Sequence, residues 1–142
     1  MEFLTDVIEH VSNNSGITFL LIGDGPYREL LTERFNEVVL APGYVPYSEI
    51  DRYYKAADVY AHPSQYEGIP LVILEALSTS LPVIARQAGD IESVTPNVVE
   101  SPEEMAHRIL YEEYDAEWLN RERFTIEYQQ RTIERILSQI MN

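Results

Sequence analysis

Two glutamates eight positions apart, Glu67 and Glu75, stand out in the stretch Pro63-Ser64-Gln65-Tyr66-Glu67-Gly68-Ile69-Pro70-Leu71-Val72-Ile73-Leu74-Glu75-Ala76-Leu77. The pattern predicts a strand end running through a loop into a helix. Gly68 permits close approach of a ligand to the backbone, and Pro70 suits the first helical turn, where a missing N–H costs nothing. The amides and dipole of a helix N-terminus suit an anion such as a diphosphate. Glu75 sits five residues past Pro70, about 7.5 Å further along the axis. A carboxylate against phosphate would repel it, so the two glutamates suit hydroxyl pairs at the two ends of a ligand. The same stretch also fits an ordinary loop with a surface glutamate followed by a helix-face glutamate, and the residues alone leave both readings open.

Other motifs exclude more than they suggest. Gly23-Asp24-Gly25-Pro26-Tyr27-Arg28 places Arg28 where a dinucleotide fingerprint needs a third glycine, so a turn is expected. There is no Walker sequence, no HExxH and no Asp-x-Asp pair. No metal or cofactor is therefore expected. His10, His62 and His107 are far apart in sequence; of these His62 alone lies near the expected ligand rim, and a structural role is favoured over general base chemistry.

These residues need a scaffold. Phe3, Leu4, Val7, Ile8 and Val11 have helical spacing ended by Asn13-Asn14-Ser15-Gly16. Ile17 to Ile22 is a continuous apolar run stopped by Gly23-Asp24-Gly25-Pro26, as for a strand buried in a parallel sheet. The alternation continues with a helix from about Pro26 to Phe35, a strand at Val38 to Ala41, and a helix near Ser48 to Ala57. A strand at Val59 to Ala61, a helix near Pro70 to Ser78, and strands at Val83 to Ala85 and Asn97 to Val99 follow. Strands alternating with helices imply an α/β, Rossmann-like, doubly wound parallel sheet. Ligands of such sheets bind beyond the carboxyl ends of the strands, so Gly23 to Pro26, Gly43 to Pro46, Pro63 to Pro70 and Arg86 to Asp90 should share one rim. Residues 102–142 read as a helical tail, whose stripe Ile126, Ile133, Ile136, Leu137 and Ile140 suits packing back on the sheet better than a partner helix.

The chain has 142 residues, 45% of them hydrophobic. That fits one domain with a sizeable core and no linker. Twenty-four acidic against ten basic residues give a net charge of −14, the wrong sign for a nucleic-acid partner. Cysteine is absent, which excludes disulfides, thiolate metal sites and a cysteine nucleophile and suits the cytoplasm. No apolar run reaches the roughly 20 residues of a membrane span, and the start lacks the pattern of a signal peptide. Peripheral membrane contact stays open.

Roughly residues 3 to 110 resemble, through five ordered pieces, the nucleotide-sugar-binding half of the retaining group 1 glycosyltransferases, which have the GT-B fold. They are Leu21-Ile22-Gly23-Asp24-Gly25-Pro26, Gly43-Tyr44-Val45-Pro46, Ala57-Asp58-Val59, Pro63-Ser64 with Glu67-Gly68 and Glu75-Ala76, and Pro82-Val83-Ile84-Ala85. The Glu-x7-Glu pair is the most specific. The resemblance implies that Glu67 contacts the donor sugar as the catalytic glutamate. It gives the backbone of Gly68, Ile69, Pro70, Leu71 and Val72 to sugar and diphosphate, Glu75 to the ribose hydroxyls, and the loop at Tyr44 and Val45 to the base. The family's chemistry is transfer of a sugar from a nucleoside diphosphate to an acceptor with retention of configuration, generally without a bound metal.

Several features depart from the family. Its glycines are replaced at Ser78-Thr79-Ser80-Leu81, and Ala88-Gly89-Asp90 stands where a Gly-Gly pair is usual, making the rim more crowded and more negative. The segment Ile91 to Glu100 is short. The family's first strand, with the Arg and Lys that neutralise the donor diphosphate, should precede the helix beginning near Phe3 and is absent, as is the acceptor-binding N-terminal domain. Arg86 is the nearby cation nominated as partial compensation, with a surface salt bridge as its plainer role. The missing strand is normally central, so the strands at Ile17 to Ile22 and Asp58 to His62 either pair directly or leave open edges filled in cis or in trans. The expectation is a donor-binding C-terminal portion of a retaining glycosyltransferase, inactive alone. Its rivals are a nucleotide-sugar epimerase fragment and a degenerate non-catalytic binding or assembly module.

Overall fold

The apolar runs become strands and the segments of helical period become helices. The computed structural model describes residues 2–13, 16–65 and 70–115. In chain order these form α1 (Glu2–Ser12), β1 (Phe19–Ile22), α2 (Arg28–Arg34), β2 (Val39–Gly43), α3 (Tyr47–Ala56) and β3 (Tyr60–His62), then α4 (Leu71–Ser78), β4 (Val83–Arg86), β5 (Val98–Val99) and α5 (Pro102–Leu110). A short 3-10 turn at Ile91–Ser93 precedes β5 and was not expected from the sequence. The helical stripe from Ile126 onward lies outside the described residues. Within the expected tail, α5 ends at Leu110 and the chain turns at Tyr111 and Glu112, whose positive φ of 54° ends the helical path.

All pairings are parallel, but the strands make two sheets, not one. β1 pairs with β2, and β3, β4 and β5 form the second sheet in that order. The register of β1 on β2 shifts between Leu20 and Ile22, opposite the stretch where Pro42 supplies no N–H to the ladder. Phe19 and Gly23 donate their amides to Val38 and Gly43, so by the alternation of a strand the backbone of Leu20 and Ile22 points away from β2. Tyr60 likewise donates to Pro82 beside β4, which turns the backbone of Val59 and Ala61 the other way. Among the described residues β1 and β3 each have one edge without a strand partner, and they do not pair with one another.

α1 holds the two sheets together. Phe3, Val7 and Val11 join Ile84, Val99, Met105, Ala106 and Ile109 in one core, against which both Phe19 of β1 and Ala61 of β3 pack. Ile8, one position round the same helix, enters a second core with Leu31, Phe35, Val38 and Val39 beneath the first sheet. A third core joins α4 to the second sheet through Ile73, Ala76, Leu77, Val83, Ala85, Ile91 and Val94. α3 buries no residue fully.

Candidate functional site

The rim at the carboxyl ends of the strands is built first by glycines. Gly43 closes β2 at φ +88°, and a Cβ there would fall 2.7 Å from Asp24 Oδ1. Only glycine tolerates both the angle and the approach. Arg28 Nε donates to the Ala41 carbonyl at 3.0 Å, and its Nη1 pairs with Asp24 Oδ1 at 3.3 Å. The Gly-Asp-Gly-Pro segment is thus a turn knitted to the end of β2. Beyond Gly43, Tyr44 is 73% exposed and Val45 is half-buried.

α4 carries the chemistry that sequence spacing singled out. Pro70, buried and extended at φ −68° and ψ 134°, occupies the N-cap position, and the helix proper starts at Leu71. This corrects the expectation of Pro70 inside the first turn. A proline has no side-chain acceptor, so no side chain caps α4. The side chains of Leu71 and Val72 are exposed. Glu67, Gly68 and Ile69 lie outside the described residues.

Glu75 is half-buried on α4, and its two oxygens are held separately. Tyr47 Oη donates to Oε1 at 3.3 Å, and Tyr54 Oη donates to Oε2 at 3.2 Å. The two tyrosines lie seven residues apart on α3 and therefore on one face of it. Tyr54 packs against the third core and meets Tyr60 edge to face at 6.0 Å between centroids. Burial, then the neighbouring Tyr60 and the Glu75 carboxylate, push the Tyr54 phenol well above its ordinary range. The phenol stays protonated and remains a donor. Tyr60 Oη in turn reaches His62 Nδ1 at 3.4 Å, and His62 is buried.

Arg86 makes a contact that its sequence position did not suggest. Its guanidinium lies 4.4 Å over the ring of Phe3, a cation–π contact that fastens the end of β4 to α1. Among the described residues it makes no ion pair, so the surface salt bridge expected as its plainer role is not formed there. Asp90 is exposed and leads into the 3-10 turn, which keeps acid at the rim. Among the described residues no three His, Asp or Glu side chains converge as a metal site, and no helix is long and apolar enough to cross a membrane. A shallow cavity of about 380 Å³ lined by Ser12, Asn13, Thr18 and Glu37 lies at the amino-terminal ends of β1 and β2, away from the rim.

Sequence reasoning brought Tyr44, Val45, Pro70, Leu71, Val72 and Glu75 into view but missed Tyr47 and Tyr54. The available signal was their seven-residue spacing. What they face, a glutamate on another helix, is set only by packing.

Residues 1–112 match the family described as glycosyl transferases group 1. The chain belongs to that family. Sulfoquinovosyl transferase SQD2 of Arabidopsis thaliana is 41% identical over 76 residues, 53% of this chain and 15% of that protein. The putative teichuronic acid biosynthesis glycosyltransferase TuaC of Bacillus subtilis is 35% identical over 91 residues, 64% of this chain and 22% of that protein. A solved sucrose-phosphate synthase from Thermosynechococcus elongatus superposes with a TM-score of 0.69 at 25% identity, over 96% of this chain and 41% of that one. The chain thus has the α/β architecture of a GT-B glycosyltransferase and spans less than a quarter of these two curated relatives. In this group 1 glycosyltransferase domain, the start of α4, Glu75 and the exposed Tyr44 lie on segments that follow the carboxyl ends of parallel strands.

Proposed function

We propose that this domain binds a nucleoside-diphosphate sugar as the donor-binding, C-terminal portion of a retaining glycosyltransferase, without a bound metal. The observation that carries the reading is Glu75. Its carboxylate is held in place by two hydroxyl donors close to the uncapped start of α4. A carboxylate oxygen accepts more than one hydrogen bond, so a ribose diol can be received beside or in place of the tyrosines. The helix end suits the diphosphate, and Tyr44 offers an exposed ring to the base. Glu67, with the backbone of Gly68 and Ile69, is assigned to the sugar on the resemblance alone.

The open edges of β1 and β3 support a second part of this reading, in which an extended segment from outside these residues, in cis or in trans, completes the sheet and brings positive charge to the diphosphate. The acceptor would be held by a further domain, and these 142 residues alone would bind donor without turning it over. One observation favours a rival, the non-catalytic assembly module: Arg86, the cation nominated for the diphosphate, is engaged on Phe3.

Calorimetric titration with UDP, GDP and ADP and their sugar conjugates, at low salt in EDTA, tests the reading. Expected is millimolar or tighter binding of one nucleotide, lost in Glu75→Ala. Equal affinity in wild type and Glu75→Ala would remove the ribose assignment.

A further inference from the structure

We infer that Tyr54 is a positioning residue for Glu75, while Tyr47 is an exchangeable occupant that leaves the carboxylate when a ligand diol arrives. This inference rests on the proposed role of Glu75 as the ribose acceptor. The two tyrosines are alike in chemistry and distance, at 3.3 Å and 3.2 Å from separate oxygens, but their surroundings differ. Tyr54 is half-buried, packed on the third core and braced edge to face by Tyr60. Its ring cannot leave without disturbing that core. Tyr47 is the first residue of α3, is 76% exposed and, among the described residues, has no ring contact of this kind. Its hydroxyl can return to water at little cost, because water replaces the lost bond.

Glu75 therefore keeps one fixed donor on Oε2 and one labile donor on Oε1. A carboxylate held by one braced, half-buried donor keeps its orientation and still has acceptor sites for two hydroxyls. Because Tyr47 lies three residues after Tyr44, withdrawal of its hydroxyl also frees the start of α3 and the preceding loop to adjust to a base. One carboxylate thereby couples ribose recognition to the loop assigned to the base.

The test compares Tyr54→Phe and Tyr47→Phe with wild type by calorimetry. The probes are UDP, GDP and ADP, each beside its 2′-deoxy counterpart, with near-UV circular dichroism to show that each variant is folded. Tyr54→Phe should weaken the binding ribonucleotide about tenfold and the deoxynucleotide far less, while Tyr47→Phe should tighten the ribonucleotide about threefold, since a competing internal bond is gone. An equal loss for both nucleotides in Tyr54→Phe would mark a merely structural residue and overturn the inference, as would weakening or no change in Tyr47→Phe. If Glu75→Ala weakens binding but Tyr54→Phe does not, the positioning role fails and the ribose reading stands. If Glu75→Ala binds as wild type, the ribose reading itself fails. Independently of any nucleotide, the ring-carbon NMR signal of the Tyr54 phenol, recorded with labelled tyrosine, should move on Glu75→Gln. An unmoved signal would overturn the contact on which the inference depends.

Discussion

The hydroxyl of Tyr54 illustrates how one side chain can be tied to pH. Burial first, then Tyr60 and Glu75, raise its pKa above the ordinary value near 10. The folded protein therefore holds this proton more tightly than the unfolded chain, so its contribution is complete below about pH 10 and is lost as the pH rises beyond it. Urea unfolding followed from about pH 9 to about pH 11.5 should show stability falling with pH in the wild type. Tyr54→Phe, which has no proton to lose, should give a shallower decline. Identical slopes would mean that Tyr54 titrates as an ordinary tyrosine. The Glu75 arrangement was half legible in the sequence at this scale. Its spacing from Glu67 marked it, but nothing local to Glu75 specifies which donors satisfy it.

At the scale of elements, short strands are pinned by side chains more than by length. β5 has two residues, and the polar pair just before it does the fastening. Asn97 Nδ2 donates to the carbonyls of Val83 and Asp115 at 3.2 Å and 3.0 Å, and its Oδ1 accepts from the Asp115 amide at 2.8 Å. Thr95 Oγ1 donates to the same Val83 carbonyl and accepts from the Asn97 amide. Asn97 is buried, so truncation leaves these backbone groups unsatisfied away from water. Asn97→Ala should cost about 2–3 kcal/mol, measured by urea unfolding. A loss below about 0.5 kcal/mol would show that water replaces the amide. The sequence predicted a strand from Asn97 to Val99, which is close to the observed Val98–Val99. It could not anticipate that Asn97 clasps the residue after the α5 turn, because that pairing joins positions 18 apart in sequence.

At the scale of the whole molecule, the edges of β1 and β3 that have no strand partner among the described residues are the dominant feature. Leu20 and Ile22 remain 38% and 37% exposed on β1, and Leu40 on β2, the register partner of Leu20, is exposed as well. A parallel sheet normally hides both faces, and an open apolar edge is a template for pairing with another chain. The 142-residue chain should therefore associate at tens of micromolar, on the order of the concentrations at which such edges aggregate. Ile22→Lys should shift it towards monomer by placing charge on the edge strand. Light scattering coupled to size-exclusion chromatography reads both outcomes, and a strictly monomeric wild type would show that the edge is protected.

The alternation of apolar runs with helical periods, set by the two repeat lengths of backbone structure, determined the α/β class and the order of the elements. Glycine chemistry determined the turn after β1, and the ordered motifs from Leu21 to Ala85 determined the family. These are local properties, carried by residues near one another in the chain. Only the tertiary structure decided the rest: that the strands form two sheets bridged by α1, that Arg86 stacks on Phe3, and that Tyr47 and Tyr54 meet Glu75. Each depends on which faces of distant segments bury together, and burial is a property of the packed whole.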